Sequence, residues 1–126
     1  MINGAHFLLY STNAEADRAF LRDVLEFRSV DAGTGWLIFG LPPAEIAVHP
    51  SGTATTPPNA ADGVVGAALY FMCDDLHTAM AKLRTKNVNF SPIEEPPWGT
   101  VTTFPLPSGS CIGLYQPKHP TALALG

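Results

Sequence analysis

Cysteine and positive charge are the scarcest chemistries in this chain of 126 residues. Its two cysteines, Cys73 and Cys111, lie far apart and form no C-x-x-C pair. A chain of this length can build a core without covalent staples, so both are expected as free thiols rather than as a disulfide framework. Seven Lys and Arg against eleven Asp and Glu give a net charge of −4. The basic residues are spread out, which disfavours nucleic acid and anionic membranes as partners. Long apolar runs are missing too. The longest, VVGAALYFMC at 64–73, is about half of what a bilayer span needs. The opening MINGAHFLLYSTN has no basic leader and no small-residue cleavage site of the secretory kind. A cytoplasmic protein is the expectation. There is also no Ser-His-Asp order, no phosphate-cradling glycine loop and no H-E-x-x-H motif.

What is present is apolar residue, at 46% of the chain, enough for one compact core and too little length for two. GAHFLLYS (4–11) reads as a strand, and Asn13 follows as a helix N-cap. The helix is predicted to run to about residue 26, with Ala16, Phe20 and Val24 in one row and Leu21 and Leu25 in the next. Three short strand candidates follow: FRSVDA (27–32), TGWLIFG (34–40) and EIAVH (45–49), separated by Gly and Pro turn signals. The stretch PSGTATTPPNAADG (50–63) has no periodicity and reads as a linker. The order then recurs. VVGAALYFMC is a strand, Asp74 or Asp75 an N-cap, and residues to about 86 a helix with Leu76, Ala79, Met80 and Leu83 on one stripe. VNFSP, residues 100–106 and CIGLYQ supply three more strands.

Internal duplication of β-α-β-β-β can be checked residue by residue. EIAVH aligns with CIGLY, pairing Glu45 with Cys111, Ala47 with Gly113 and His49 with Tyr115. Strand alternation sends the large aliphatics Ile46, Val48, Ile112 and Leu114 to the helix-packed face and the other residues to the opposite one. In the first strands His6 pairs with Ala68, Leu8 with Tyr70 and Tyr10 with Met72, while Phe7, Leu9, Leu69 and Phe71 face the helices. The open face thus carries His, Tyr, Glu and Met, as expected of a ligand cleft in a curved sheet. Gly113 sits in the middle of that face, and a glycine inside a strand marks a bulge or a close approach to the backbone.

GAHFLLYSTNAEADRAFLRDVLEF, EIAVHP, LYFMCDDLHTAMAKLRTKNV, PWGT and GLYQP, in this order and spacing, resemble the vicinal oxygen chelate superfamily: glyoxalase I, extradiol dioxygenases, and fosfomycin and bleomycin resistance proteins. The resemblance covers nearly the whole chain. It implies an α+β fold of two βαβββ modules forming one curved β-sheet with a cleft. Module 1 would occupy about 1–49, the linker 50–63, module 2 about 64–117 and a tail 118–126, all within one domain and often within a homodimer. In enzymes of the superfamily, His and Glu from the first and last strands of each module hold a divalent metal. His6 stands at the first of these places. The other three fall on Ala68 (or Ala67 if the register slips by one), Ala47 and Gly113, and none of these positions offers a metal-binding side chain. One imidazole does not hold a divalent ion against water, since lasting sites have three or more protein donors.

Two readings of the cleft follow. In the first, the protein binds a small apolar or aromatic molecule without metal or other cofactor, in a cleft containing Tyr10, Tyr70, Met72, Trp98 and Tyr115, with His6, Glu45 and His49 as polar groups. In the second, His6, Glu45 and His49 form a displaced site for a divalent metal in a divergent lyase or dioxygenase. Structural explanations stand beside both. His6 can be a leftover hydrogen-bonded histidine, Glu45 and His49 solvated edge residues, the tyrosines packing between the halves, and Trp98 a cap over a module end. Asp74-Asp75 is explained by helix capping. Cys111 lacks the neighbouring cation that a reactive thiolate requires. The sequence leaves open whether the protein is an enzyme.

Overall fold

The computed structural model describes residues 1, 3–50 and 61–125. Most of the linker expected at 50–63 lies outside the described residues. The elements in chain order are α1 (Ala14–Asp23), β1 (Ser29–Asp31), β2 (Leu37–Phe39), β3 (Tyr70–Met72), α2 (Leu76–Arg84), β4 (Gly99–Pro105) and β5 (Cys111–Pro117). This is the α+β architecture read from the sequence, with the strands in two sheets. β1 and β2 form an antiparallel ribbon, and the second sheet has the order β3-β5-β4. Its central strand, β5, runs parallel to β3 and antiparallel to β4.

Helix α1 begins where its cap places it. The Asn13 side chain accepts from Ala16 N at 3.2 Å, and Glu15 and Asp17 occupy the first turn with Arg22 in the last, the arrangement the helix dipole favours. Asn13→Ala is expected to cost about 1 kcal/mol, read as a lower urea midpoint with an unchanged slope. The helix is closed by Val24 N and Leu25 N, which both donate to the Phe20 carbonyl. Glu26 then takes a left-handed backbone, φ 61°, at the place where helices commonly end on glycine. Lys86 stabilises this end: its Nζ donates to the Asp23 carbonyl at 3.2 Å and lies 3.1 Å from the Glu26 carboxylate.

Helix α2 is capped by Asp75, whose side chain accepts from Thr78 N at 2.9 Å. The Gln116 side chain accepts from Leu76 N at 3.0 Å and so fastens the helix start to β5. Both helices cover one face of the three-stranded sheet. Leu76, Met80, Phe104 and Ile112 are fully buried there, and Phe20, Val24 and Leu25 of α1 pack against the same cluster. The Phe20 and Phe104 rings stack with centroids 6.1 Å apart. A buried carboxylate completes the attachment of α1. Asp17, 8% exposed, accepts from both Ser108 N (2.9 Å) and Ser108 Oγ (2.6 Å) in the turn between β4 and β5.

Three strand expectations are corrected. Residues 4–11 and 45–49 join no ladder among the described residues, and Phe7, Leu8, Leu9, Tyr10, Ile46 and Val48 are exposed. Alternation of apolar side chains specifies a face, but a strand forms only against neighbours, and an isolated pair is marginal in water. The second-module segment 70–72 has such neighbours because β5 is itself paired to the seven-residue β4. VNFSP is also not a regular strand. It is tied to β4 through Ser91, whose N donates to the Thr103 carbonyl at 2.9 Å, through the Phe90 ring packed edge to face on Phe104, and through the Glu94–Val101 bridge just beyond it.

Candidate functional site

The register of β3 against β5 divides the side chains between two faces. Phe71 pairs with Leu114 and belongs to the core, while Tyr70 pairs with Gly113 and Met72 with Tyr115. Beside β3 and β5, Tyr10, Ala68, Tyr70, Thr103, Cys111 and Gly113, together with Leu69, Leu106 and Ile112, line a recess of about 260 Å³. It is smaller than the roughly 300–1,000 Å³ of drug-sized ligand clefts.

Gly113 is glycine because an aromatic ring lies against its backbone. A Cβ built there would sit 2.7 Å from Cγ of Tyr70 and closer still to other ring atoms. The strand remains intact at this point, with Gly113 N donating to the Leu69 carbonyl at 3.0 Å. The space over the glycine is filled by the neighbouring strand's tyrosine.

Tyr70 belongs to a three-ring cluster with Trp98 and Tyr115. Centroid separations are 6.1 Å for Tyr70 to Trp98, 5.9 Å for Tyr70 to Tyr115 and 5.3 Å for Trp98 to Tyr115, all edge to face. Such pairs contribute about 0.5–1.5 kcal/mol each beyond the area they bury. The Trp98 loop approaches because residue 99 is glycine: a Cβ there would meet the Gln116 carbonyl oxygen at 2.7 Å. Lys118 N donates to the Trp98 carbonyl at 2.9 Å and holds the loop from the other side. Tyr70 and Trp98 remain 42% and 41% exposed while Tyr115 is buried, so the first two rings are partly open to solvent and the third is packed beside them.

The Tyr115 hydroxyl lies 3.2 Å from His119 Nε2, and His119 Nδ1 lies 2.8 Å from the Pro120 carbonyl. A carbonyl only accepts, so Nδ1 carries the hydrogen, and in the neutral ring Nε2 accepts from the phenol. Burial pushes the Tyr115 pKa up, and the Glu45 carboxylate adds to the effect. The phenol is thereby kept protonated. Glu45 in turn accepts from Ala122 N at 2.7 Å. The segment after β5 thus joins Trp98, Tyr115 and Glu45, and His119 is a member that the sequence reading missed. No periodicity or motif singles it out, because it lies beyond the last strand.

The remaining expected site residues are dispersed. Met72 lines a different recess, on the helix side. His6 is exposed on the segment before α1, and His49 is exposed with its Nδ1 2.7 Å from the Pro50 carbonyl. Among the described residues no three His, Cys, Asp or Glu side chains come together in a group able to hold a metal ion. The proposed trio of His6, Glu45 and His49 therefore does not converge, and this donor set does not fit a divalent ion. Cys73 is not set up as a nucleophile. Burial, with Asp75 and Asp74 nearby, pushes the Cys73 pKa up, which is opposite to what a nucleophile needs.

The sequence profile of the Glyoxalase/Bleomycin resistance protein/Dioxygenase superfamily matches residues 4–114. The chain belongs to this superfamily. No curated protein matches it in sequence. Among solved structures, it is similar to TnmS3, an antibiotic binding protein from Streptomyces sp. CB03234, with 22% identity and a TM-score of 0.58 over 94% of this chain and 100% of that one. It is similar to lactoylglutathione lyase from Agrobacterium tumefaciens at 14% identity and a TM-score of 0.59, covering 90% and 92% of the two chains. An integron cassette protein from V. cholerae is 23% identical, with a TM-score of 0.55 and coverage of 92% and 98%. At these identities the similarity shows the fold, which in this superfamily supports both binding proteins and enzymes.

Proposed function

We propose that this superfamily member is a metal-free binding protein that sequesters a small apolar or aromatic molecule on the Tyr70–Trp98 surface beside Gly113. The observation carrying this reading is the Tyr70 ring over Gly113. The position at which the family's enzymes place a metal-binding glutamate holds no side chain, and an aromatic surface stands there instead. Its alignment partner Ala47 and the second-module position Ala68 also lack donors. The antibiotic-binding neighbour is consistent with such a role on the same fold. The recess adjoining Tyr70 and Gly113 is lined by no charged side chain, its polar residues being Tyr10, Tyr70, Thr103, Ser110 and Cys111, which favours an uncharged ligand.

The working form in this proposal is a homodimer in the cytoplasm. Ile46 and Val48, 91% and 93% exposed, are strand-patterned apolar residues that a second copy would cover. Free thiols suit a reducing compartment, and among the described residues no helix is long and apolar enough to cross a membrane.

The test is a titration with 2-naphthol, a compact neutral aromatic, followed through Trp98 fluorescence with Trp36→Phe as background. Saturable binding that is unchanged by EDTA is expected. Tyr70→Ala should weaken it about tenfold, the loss typical of an aromatic anchor. Binding that vanishes with EDTA would favour a metal-dependent lyase or dioxygenase instead.

A further inference from the structure

The sheet's helix-covered face has its own recess of about 220 Å³, bounded by Val24, Leu25, Phe71, Leu83, Phe104 and Leu114. Sheet thickness separates it from the aromatic surface, since Phe71 and Leu114 point to the core while their neighbours Tyr70 and Gly113 point to the cleft. Its wall is hydrocarbon and its charged residues are Glu26 and Lys82. Glu26 is paired with Lys86 at 3.1 Å. The Lys86 hydrogen bond, followed by the Lys86 and Lys82 charges, lowers the Glu26 pKa, so one carboxylate faces two ammonium groups and one positive charge is left over. Among the described residues the Lys82 ammonium has no ion pair within 4.0 Å.

We infer that this recess is a second binding site, for a compact apolar monocarboxylate whose hydrocarbon body lies against Leu83 and Phe104 and whose carboxylate meets Lys82. The volume limits the body to a few carbons, below the usual range of drug-sized sites. The surplus positive charge selects the anion over the corresponding alcohol, and the lack of uncharged hydrogen-bonding side chains in the wall disfavours sugars and amides.

Hexanoate and hexanol are the probes, read through the methyl NMR signals of Val24, Leu25, Leu83 and Leu114. Hexanoate is expected to shift these signals saturably while leaving the Tyr70 and Trp98 ring signals in place. Lys82→Gln, a change at an exposed side chain, should weaken hexanoate about threefold and leave hexanol unaffected, as for a solvent-facing ion pair. Ala79→Phe, which fills the recess from α2, should abolish the shifts. The inference is overturned if hexanoate leaves those methyls unmoved, moves the cleft aromatics instead, or binds Lys82→Gln as well as the wild type. Because the two recesses have separate reporters, failure here leaves the aromatic-site result readable.

Discussion

Gly113→Ala is expected to destabilise the protein by about 2 kcal/mol, as overpacking of a tightly filled site does. The sign is informative. At an unstrained position the same substitution usually stabilises by about 0.4–1 kcal/mol, because alanine restricts the unfolded chain. Gly113 lies in the central strand, and its new Cβ would fall within the Tyr70 ring. The ring cannot turn aside freely, being packed edge to face on both Trp98 and Tyr115. In a Tyr70→Ala background the cost of Gly113→Ala should largely disappear, giving a coupling of about 2 kcal/mol, within the range found for residues in direct contact. Additive effects in urea melts would show that the ring and the glycine are not in contact. Gly113→Glu should be worse than alanine and should not create a metal site, since the other aligned positions hold Ala47 and Ala68.

Asp17→Ala is expected to cost about 2–3 kcal/mol, because it leaves the half-buried Ser108 N–H and hydroxyl without their acceptor. It would also free the turn that precedes Ser110 and Cys111, so binding at the adjoining recess should weaken as well. Burial alone would raise the Asp17 pKa, but the Ser108 hydroxyl, the Ser11 hydroxyl and the Ser108 N–H outweigh it, and the net shift is downward from 3.8. A carboxyl with a lowered folded-state pKa contributes stability that is fully present above the unfolded value and is lost as pH falls through the folded one. The stability gap between wild type and Asp17→Ala should therefore be constant at neutral pH and narrow below about pH 4. A gap that widens toward acid would contradict the assignment.

The two helices and the strands at 100–106 and CIGLYQ were legible because each carried redundant local signals, whereas only residues 70–72 of the strand expected at 64–73 pair in β3. Asn13 and the pair Asp74-Asp75 announce helix starts, and Asn13 and Asp75 act as the caps. The alternation in CIGLY placed Ile112 and Leu114 in the core, where they are found. The strands expected at 4–11 and 45–49 show the limit of such patterning. Alternation identifies which side chains would share a face, while pairing depends on a partner strand that is distant in sequence. The same reasoning applies to the site. Gly113 drew attention as a glycine in a strand, and its pairing with Tyr70 gives the reason, but only coordinates reveal the ring lying over it. Trp98 and Tyr115 were expected at the cleft, and their rings are close neighbours, 5.3 Å apart, although neither lines the recess beside Gly113. His119 was invisible because its role comes from a tail folding back after β5, a contact that no local spacing encodes. Met72 shares the register of Tyr115 yet lines the opposite recess, since a residue at a strand's end is not held to one face as firmly as a residue within the ladder.

The most direct test of the account is the metal content of protein expressed with Zn, Mn, Ni and Fe supplied, measured alongside 2-naphthol binding by the same preparation. The account predicts metal far below one ion per chain, with full binding before and after EDTA treatment. Near-stoichiometric metal that disappears in a His6→Ala variant, together with loss of binding, would contradict it.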